Sequence, residues 1–264
     1  MTIFEHLAIT PAYAISGLLV GILVGMTGVG GGSLMTPLLV LMFGFHPTTA
    51  VGTDLLFAAA TKTVGTTIHS AGKTVDWQIV RRLATGSVPA TVICLLLLAY
   101  FGVASKTVTS IISLTLGVAL ILSAIMLLFK DLIIRLISRK FPDVGLDSPA
   151  WVTILVGFIL GVLVSLSSVG AGALGTVALI ILYPRLPIVR IVGSDIAHAV
   201  PLTLIAGTGH WFIGSIDWSL LVSLLIGSIP GIAIGSQLAS RVPDRVLRPI
   251  LAGTLAIVGA RLAI

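Results

Sequence analysis

Two aspartates, Asp54 and Asp195, stand inside stretches otherwise built of small and aliphatic residues. A carboxylate in such surroundings is expensive to bury, so its presence points to ion handling: a proton carried on the carboxyl group, or a charged partner held beside it. At helical spacing Asp54, Ala58, Thr61, Gly65 and His69 share one face, with Lys62 at its edge. Asp195, Ala199, Ala206 and His210 share the corresponding face further along, where Thr203 replaces the lysine. Two roles are open to each carboxylate. One is proton coupling with a histidine; the other is a hydrogen bond to backbone or hydroxyl groups that holds neighbouring elements in place. Lys62 either lends positive charge to an anion path or pairs with Asp54, ~12 Å away along a helix.

The backbone offers a second kind of chemistry. Thr27, Gly28, Val29, Gly30, Gly31, Gly32 and Ser33 form a run with almost no side-chain bulk that leads straight into an apolar stretch. Such a run opens a helix N-terminus, whose bare N–H groups and positive dipole end favour an anion, with the Thr27 and Ser33 hydroxyls as added donors. Ser167, Ser168, Val169, Gly170, Ala171 and Gly172 repeat the arrangement. Small residues also allow close helix packing, but the recurrence of the run at the same place in two halves favours the anion reading. No strand precedes the glycines, so a dinucleotide fingerprint is excluded. No His, Cys and carboxylate cluster has metal spacing, and no serine is set beside a histidine and an acid in a nucleophile motif. No enzyme activity, metal or cofactor is expected.

Composition says what must position these groups. Of 264 residues 57% are hydrophobic and 9% charged, with a mean hydropathy of +1.19. Soluble domains carry about 25% charged residues, so the chain belongs in a bilayer as a polytopic all-α protein with roughly eight to ten embedded helices. The net charge of +6 then sets orientation instead of attracting nucleic acid. Cys94 is the single cysteine, which excludes an intrachain disulfide. The N-terminus lacks a basic n-region and a cleavage pattern, so no removed signal peptide is expected.

Apolar stretches run at about 12–27, 33–44, 48–71, 78–101 and 107–129, then at 152–167, 173–183, 188–213, 218–240 and 246–264. The second stretch of each set is too short to cross ~30 Å of hydrocarbon. Each half therefore opens on a broken or re-entrant helix pair. Residues 130–150, dense in charge, form a cytoplasmic linker between a first repeat, 1–129, and a second, 151–264. The halves align residue by residue: Gly21 to Leu34 over Gly161 to Leu174, then, after one inserted residue, Thr53-Asp54 over Ser194-Asp195, His69 over His210, Asp76-Trp77 over Asp217-Trp218 and Pro89 over Pro230. Asp76 and Asp217, each followed by tryptophan, read as helix caps and interface anchors.

If each opening pair returns to its own side, three crossings remain per half and the second copy is inverted. Lys73, Arg81, Arg82, Lys130, Arg135, Arg139, Lys140, Arg185, Arg190, Arg241, Arg245 and Arg248 then share one side, and Lys106 and Arg261 the other. The richer side is cytoplasmic, which puts both termini outside. Inversion brings Asp54 and His210 to the outer half of the membrane and Asp195 and His69 to the inner half, so each aspartate is expected to meet the other repeat's histidine.

The run Gly21 to Pro37, the following Ala50-Val51-Gly52-Thr53-Asp54, and the shorter Val169-to-Gly172 echo resemble the TauE/SafE family of sulfite exporters, the TSUP permeases, over nearly the whole chain. The echo departs by placing Ser168 and Ala171 where the first copy has Gly28 and Gly31. The resemblance implies a carrier of the cytoplasmic membrane for sulfite, thiosulfate or a small organosulfonate. The expected function is outward, proton-coupled transport of a small sulfur oxyanion, with the halves rocking around a midplane site. An anion channel or passive pore is the alternative.

Overall fold

The computed structural model describes residues 9–27, 32–71, 73–103, 105–140, 149–238 and 244–263. Among them lie ten helices: α1 Pro11–Thr27, α2 Gly32–Leu41, α3 Pro47–Ala71, α4 Trp77–Phe101, α5 Lys106–Lys140, α6 Ala150–Ser167, α7 Ala173–Leu182, α8 Ile188–Phe212, α9 Trp218–Leu238 and α10 Asp244–Ala263. No strand occurs among the described residues. Five stretches, in α4, α5, α6, α8 and α9, are long and apolar enough to cross a bilayer. The 10-residue α2 and α7 reach ~15 Å, half the hydrocarbon thickness.

These bounds follow the apolar stretches closely except at α5, which runs on through the charged segment to Lys140. The first proline after α5 begins is Pro142, so the sequence holds no breaker before Lys140. The starts of α4 and α9 are set by capping. The Asp76 carboxylate accepts from the Gln78 and Ile79 N–H groups at the head of α4, and Asp217 accepts from Leu220 N–H at the head of α9.

Four helix pairs make the body of the bundle: α1 against α9, α4 against α6, α3 against α8 and α5 against α10. Exchanging the halves turns the first pair into the second and returns the other two to themselves. Glycine permits the closest of these contacts. A Cβ on Gly21 of α1 would stand 2.6 Å from the Ser228 carbonyl oxygen of α9, and one on Gly161 of α6 would stand 2.6 Å from the Ser87 carbonyl oxygen of α4. Helices α3 and α8 run antiparallel, with Gly52 near the start of α3 against His210 and Ser215, and Gly207 against Leu56.

Loops gather at two ends. At one, Arg190 pairs with Asp76 at 3.1 Å, Asp76 N–H donates to Ser194 Oγ at 2.8 Å, and Arg82 donates to the Tyr183 hydroxyl at 3.3 Å. At the other, Asp217 N–H donates to Thr53 Oγ1 at 3.1 Å, Thr48 Oγ1 to the Val103 carbonyl at 3.3 Å, and Thr10 N–H to Ser223 Oγ at 3.2 Å. The Asp76–Ser194 and Asp217–Thr53 bonds are one interaction made twice with the halves exchanged. Both short pairs double back. Tyr13 at the start of α1 meets Phe43 beyond the end of α2 edge-on, with ring centroids 5.0 Å apart. Thr153 at the start of α6 lies 2.7 Å from the Tyr183 hydroxyl beyond α7.

Candidate functional site

The second turn-back is described in full. Helix α6 ends at Ser167 and Ser168 takes a left-handed conformation, φ 58°. Gly170 and Gly172 follow at φ 131° and 134°, values that exclude a side chain without strain, before α7 begins at Ala173. Ser168, Val169, Gly170 and Ala171 are buried, so unwound backbone lies inside the protein, where its polar groups need partners. Some are met locally: Ser167 Oγ donates to the Leu163 carbonyl at 2.6 Å and accepts from Val169 N–H at 3.2 Å. Ser167 is thus consumed by the turn. Ser168 Oγ is buried and has no hydrogen-bond partner. In the first half α1 ends at Thr27 and α2 starts at Gly32. Gly28, Gly30 and Gly31 lie outside the described residues, as do the side chains of Thr27 and His69.

The aspartates face the short helices. Thr36 Oγ1 on α2 donates to Asp54 Oδ2 at 2.5 Å, and Thr176 Oγ1 on α7 donates to Asp195 Oδ2 at 2.9 Å. Both carboxylates are fully buried, and in each the Oδ1 atom has no hydrogen-bond partner. Gly175 lies directly against Asp195, where any Cβ would run into Oδ1. The backbone N–H groups of Gly172 and Thr176 are in electrostatic range of Asp195, as is that of Thr36 for Asp54. The first turns of α2 and α7, positive by their dipoles, are therefore faced by the chain's own carboxylates. Of the two roles open to each aspartate, the structure displays the clasp.

Lys62 joins the halves. Its Nζ donates to the Ala171 carbonyl at 2.8 Å, inside the second unwound segment, and it lies in electrostatic range of both Asp54 and Asp195. It is thus more than an intrahelical partner for Asp54. Ser168 of the second half also faces Asp54, so residues of both halves of the chain lie around this lysine. His210 is placed elsewhere than the pairing argument expects: its Nε2 lies 3.0 Å from the Ser165 carbonyl, not on Asp54. Side-chain direction explains the difference, because a shared helix face and depth bring the backbones together without aiming the ring.

Ser33 is buried at the start of α2 and lines a cavity of about 370 Å³ between α1, α2 and α10. Its walls are mostly apolar, including Leu23, Pro37 and Leu255, and Arg261 is its charged lining residue. Sequence reasoning missed Thr36, Thr176, Ser87 and His198. The threonines occupy matching positions in the aligned halves, and His198 lies one helical turn beyond Asp195. That spacing was a usable signal.

Residues 13–262 match the family described as sulfite exporter TauE/SafE. The chain belongs to this family. It is similar to the probable membrane transporter protein YjnA of Bacillus subtilis, with 39% identity across 93% of this chain and 96% of the relative. YdhB of the same organism, also named a probable membrane transporter protein, is 29% identical across 91% and 95%. MJ0441 of Methanocaldococcus jannaschii, named likewise, is 26% identical across 97% and 96%. No solved structure matches the chain. As a TauE/SafE protein the chain is a multi-pass membrane transporter and not an enzyme.

Proposed function

We propose that this TauE/SafE transporter is a secondary carrier that exports a small sulfur oxyanion, sulfite or an organosulfonate such as sulfoacetate, coupled to protons through Asp54 and Asp195. The observation that carries the reading is that two matching Thr–Asp clasps lie in electrostatic range of one lysine. Two buried carboxylates beside a single ammonium leave one negative charge uncompensated when all are ionised. An anion then enters at Lys62 only at the expense of a carboxylate's hold on the lysine, and a proton on that carboxylate releases it. Proton and anion occupancy are linked by this competition, which is the coupling a carrier needs.

The architecture we propose is a pair of inverted-topology repeats, each opening on a re-entrant hairpin, around a midplane site. The antiparallel α3 and α8 and the paired turn-backs support it. Lys73, Arg81, Arg82, Arg185 and Arg190 flank the loops of the Asp76–Arg190 end, which supports a cytoplasmic assignment for that end, and the topology we propose in the cytoplasmic membrane has both termini on the outer side. The reading is tested with purified full-length protein and a panel of sulfite, sulfate, thiosulfate, sulfoacetate and acetate. A sulfur oxyanion should raise the melting temperature selectively and exchange against itself in counterflow. Equal response to every anion without counterflow would leave a passive pore.

A further inference from the structure

His198 is a fully buried ring on α8, three residues beyond Asp195, with no part in the coupling just described. Its Nε2 lies 2.8 Å from Ser87 Oγ on α4, and its Nδ1 has no hydrogen-bond partner. The Ser87 hydroxyl makes no other hydrogen bond among the described residues, which leaves its proton for Nε2 and places the ring proton on Nδ1. A buried N–H without an acceptor is a standing cost that a ligand oxygen would remove.

The donors around this ring are unequally shared between the halves. Lys62 lies in electrostatic range of His198 as well as of both carboxylates. In the aligned register the first half has Phe57 where the second has His198, and Phe57 is buried and cannot donate. The position matching Lys62 is Thr203, whose hydroxyl bonds back to the Ala199 carbonyl at 2.8 Å. Ser168, with its unpartnered buried hydroxyl, stands where the first half has Gly28. The lysine cation and the Ser168 hydroxyl therefore border the second unwound segment, and the His198 ring lies in electrostatic range of that cation.

Resting on the carrier reading, we infer that the oxyanion binds off-centre, against residues 168–172, with Lys62 Nζ and His198 Nδ1 as direct donors, and is not shared equally between the two unwound segments. The ligand class is an anion with several acceptor oxygens on one atom, as in sulfite or a sulfonate. Ser87 is a positioning residue that fixes the ring tautomer.

The test measures sulfite affinity of the full chain in nanodiscs under anaerobic conditions, with sulfoacetate as a second probe. H198F copies the residue of the first half and should weaken sulfite about 10-fold or more, while H198N, which keeps a donor near Nδ1, should stay within ~3-fold of wild type. The unliganded melting temperatures report packing separately. Wild-type affinity in H198F would overturn the inference and leave the carrier reading intact. A wild-type chain that neither binds nor moves either anion would overturn both. Should H198F fail to fold, the imidazole nitrogen resonances of the wild-type chain decide. Sulfite must shift the Nδ1 signal that H198N lacks, and an unmoved signal overturns the inference.

Discussion

Lys62 of α3 donates to the carbonyl oxygen of Ala171 at 2.8 Å, so an ammonium from the first half is held by unwound backbone of the second. The bond satisfies a buried carbonyl outside any helix and holds the charge in electrostatic range of both Asp54 and Asp195. K62M removes the charge and keeps much of the stem. We expect at least ~10-fold weaker anion binding and loss of counterflow, checked with labelled sulfite in proteoliposomes. K62R should not restore wild-type exchange, because a larger planar guanidinium cannot take the place of the compact ammonium that bonds the Ala171 carbonyl. Normal exchange in K62M would remove the lysine from the site.

The clasps make matching predictions on stability. T36V and T176V keep the volume of the threonine and delete the donor to Asp54 or Asp195. Each should cost about 1–3 kcal/mol, read as a lower melting temperature, and the two losses should be similar. A neutral T176V would show that Asp195 is held by the backbone of α7 alone.

Glycine positions separate packing from strain. G175A drives a Cβ into the Asp195 carboxylate and should cost at least about 1–3 kcal/mol while disturbing transport. G172A imposes a side chain on a residue at φ 134° and should cost on the order of 1–3 kcal/mol. Gly253 of α10 has nothing within 4 Å of its Cβ position, so G253A should be neutral or stabilising by up to ~1 kcal/mol. Thermal unfolding of the three purified variants checks the order.

The mirrored ties between the ends should differ from the ion pair beside them. T53V and S194A each leave the N–H of a capping aspartate without its acceptor, at about 0.5–1.5 kcal/mol apiece. The Arg190–Asp76 pair is 41% and 22% exposed, and R190A should cost no more than ~1 kcal/mol. A double-mutant cycle on Arg190 and Asp76 measures that coupling directly.

Much of this fold was legible before any coordinates, for one physical reason. A bilayer demands long apolar helices, so hydropathy and glycine breaks alone mark α1 to α4 and α6 to α10 within a few residues. α5 escaped because its end lies beyond the apolar limit, in a charged stretch that holds no proline to stop the helix. Asp54 and Asp195 stood out as costly charges, but their partners did not, since Thr36 and Thr176 are ordinary residues until α2 and α7 fold back on α3 and α8. The His210 pairing went astray on ring direction, and His198 was passed over because the face was traced through Ala199 and His210.

The coupling claim is tested most directly by imposing a pH gradient across proteoliposomes and following sulfite accumulation by wild type, D54N and D195N, each first shown to be folded by its melting curve. The account predicts gradient-driven accumulation in the wild type, and in both variants only downhill equilibration that ignores the gradient. Accumulation that still follows the pH gradient in D54N and D195N alike would contradict it.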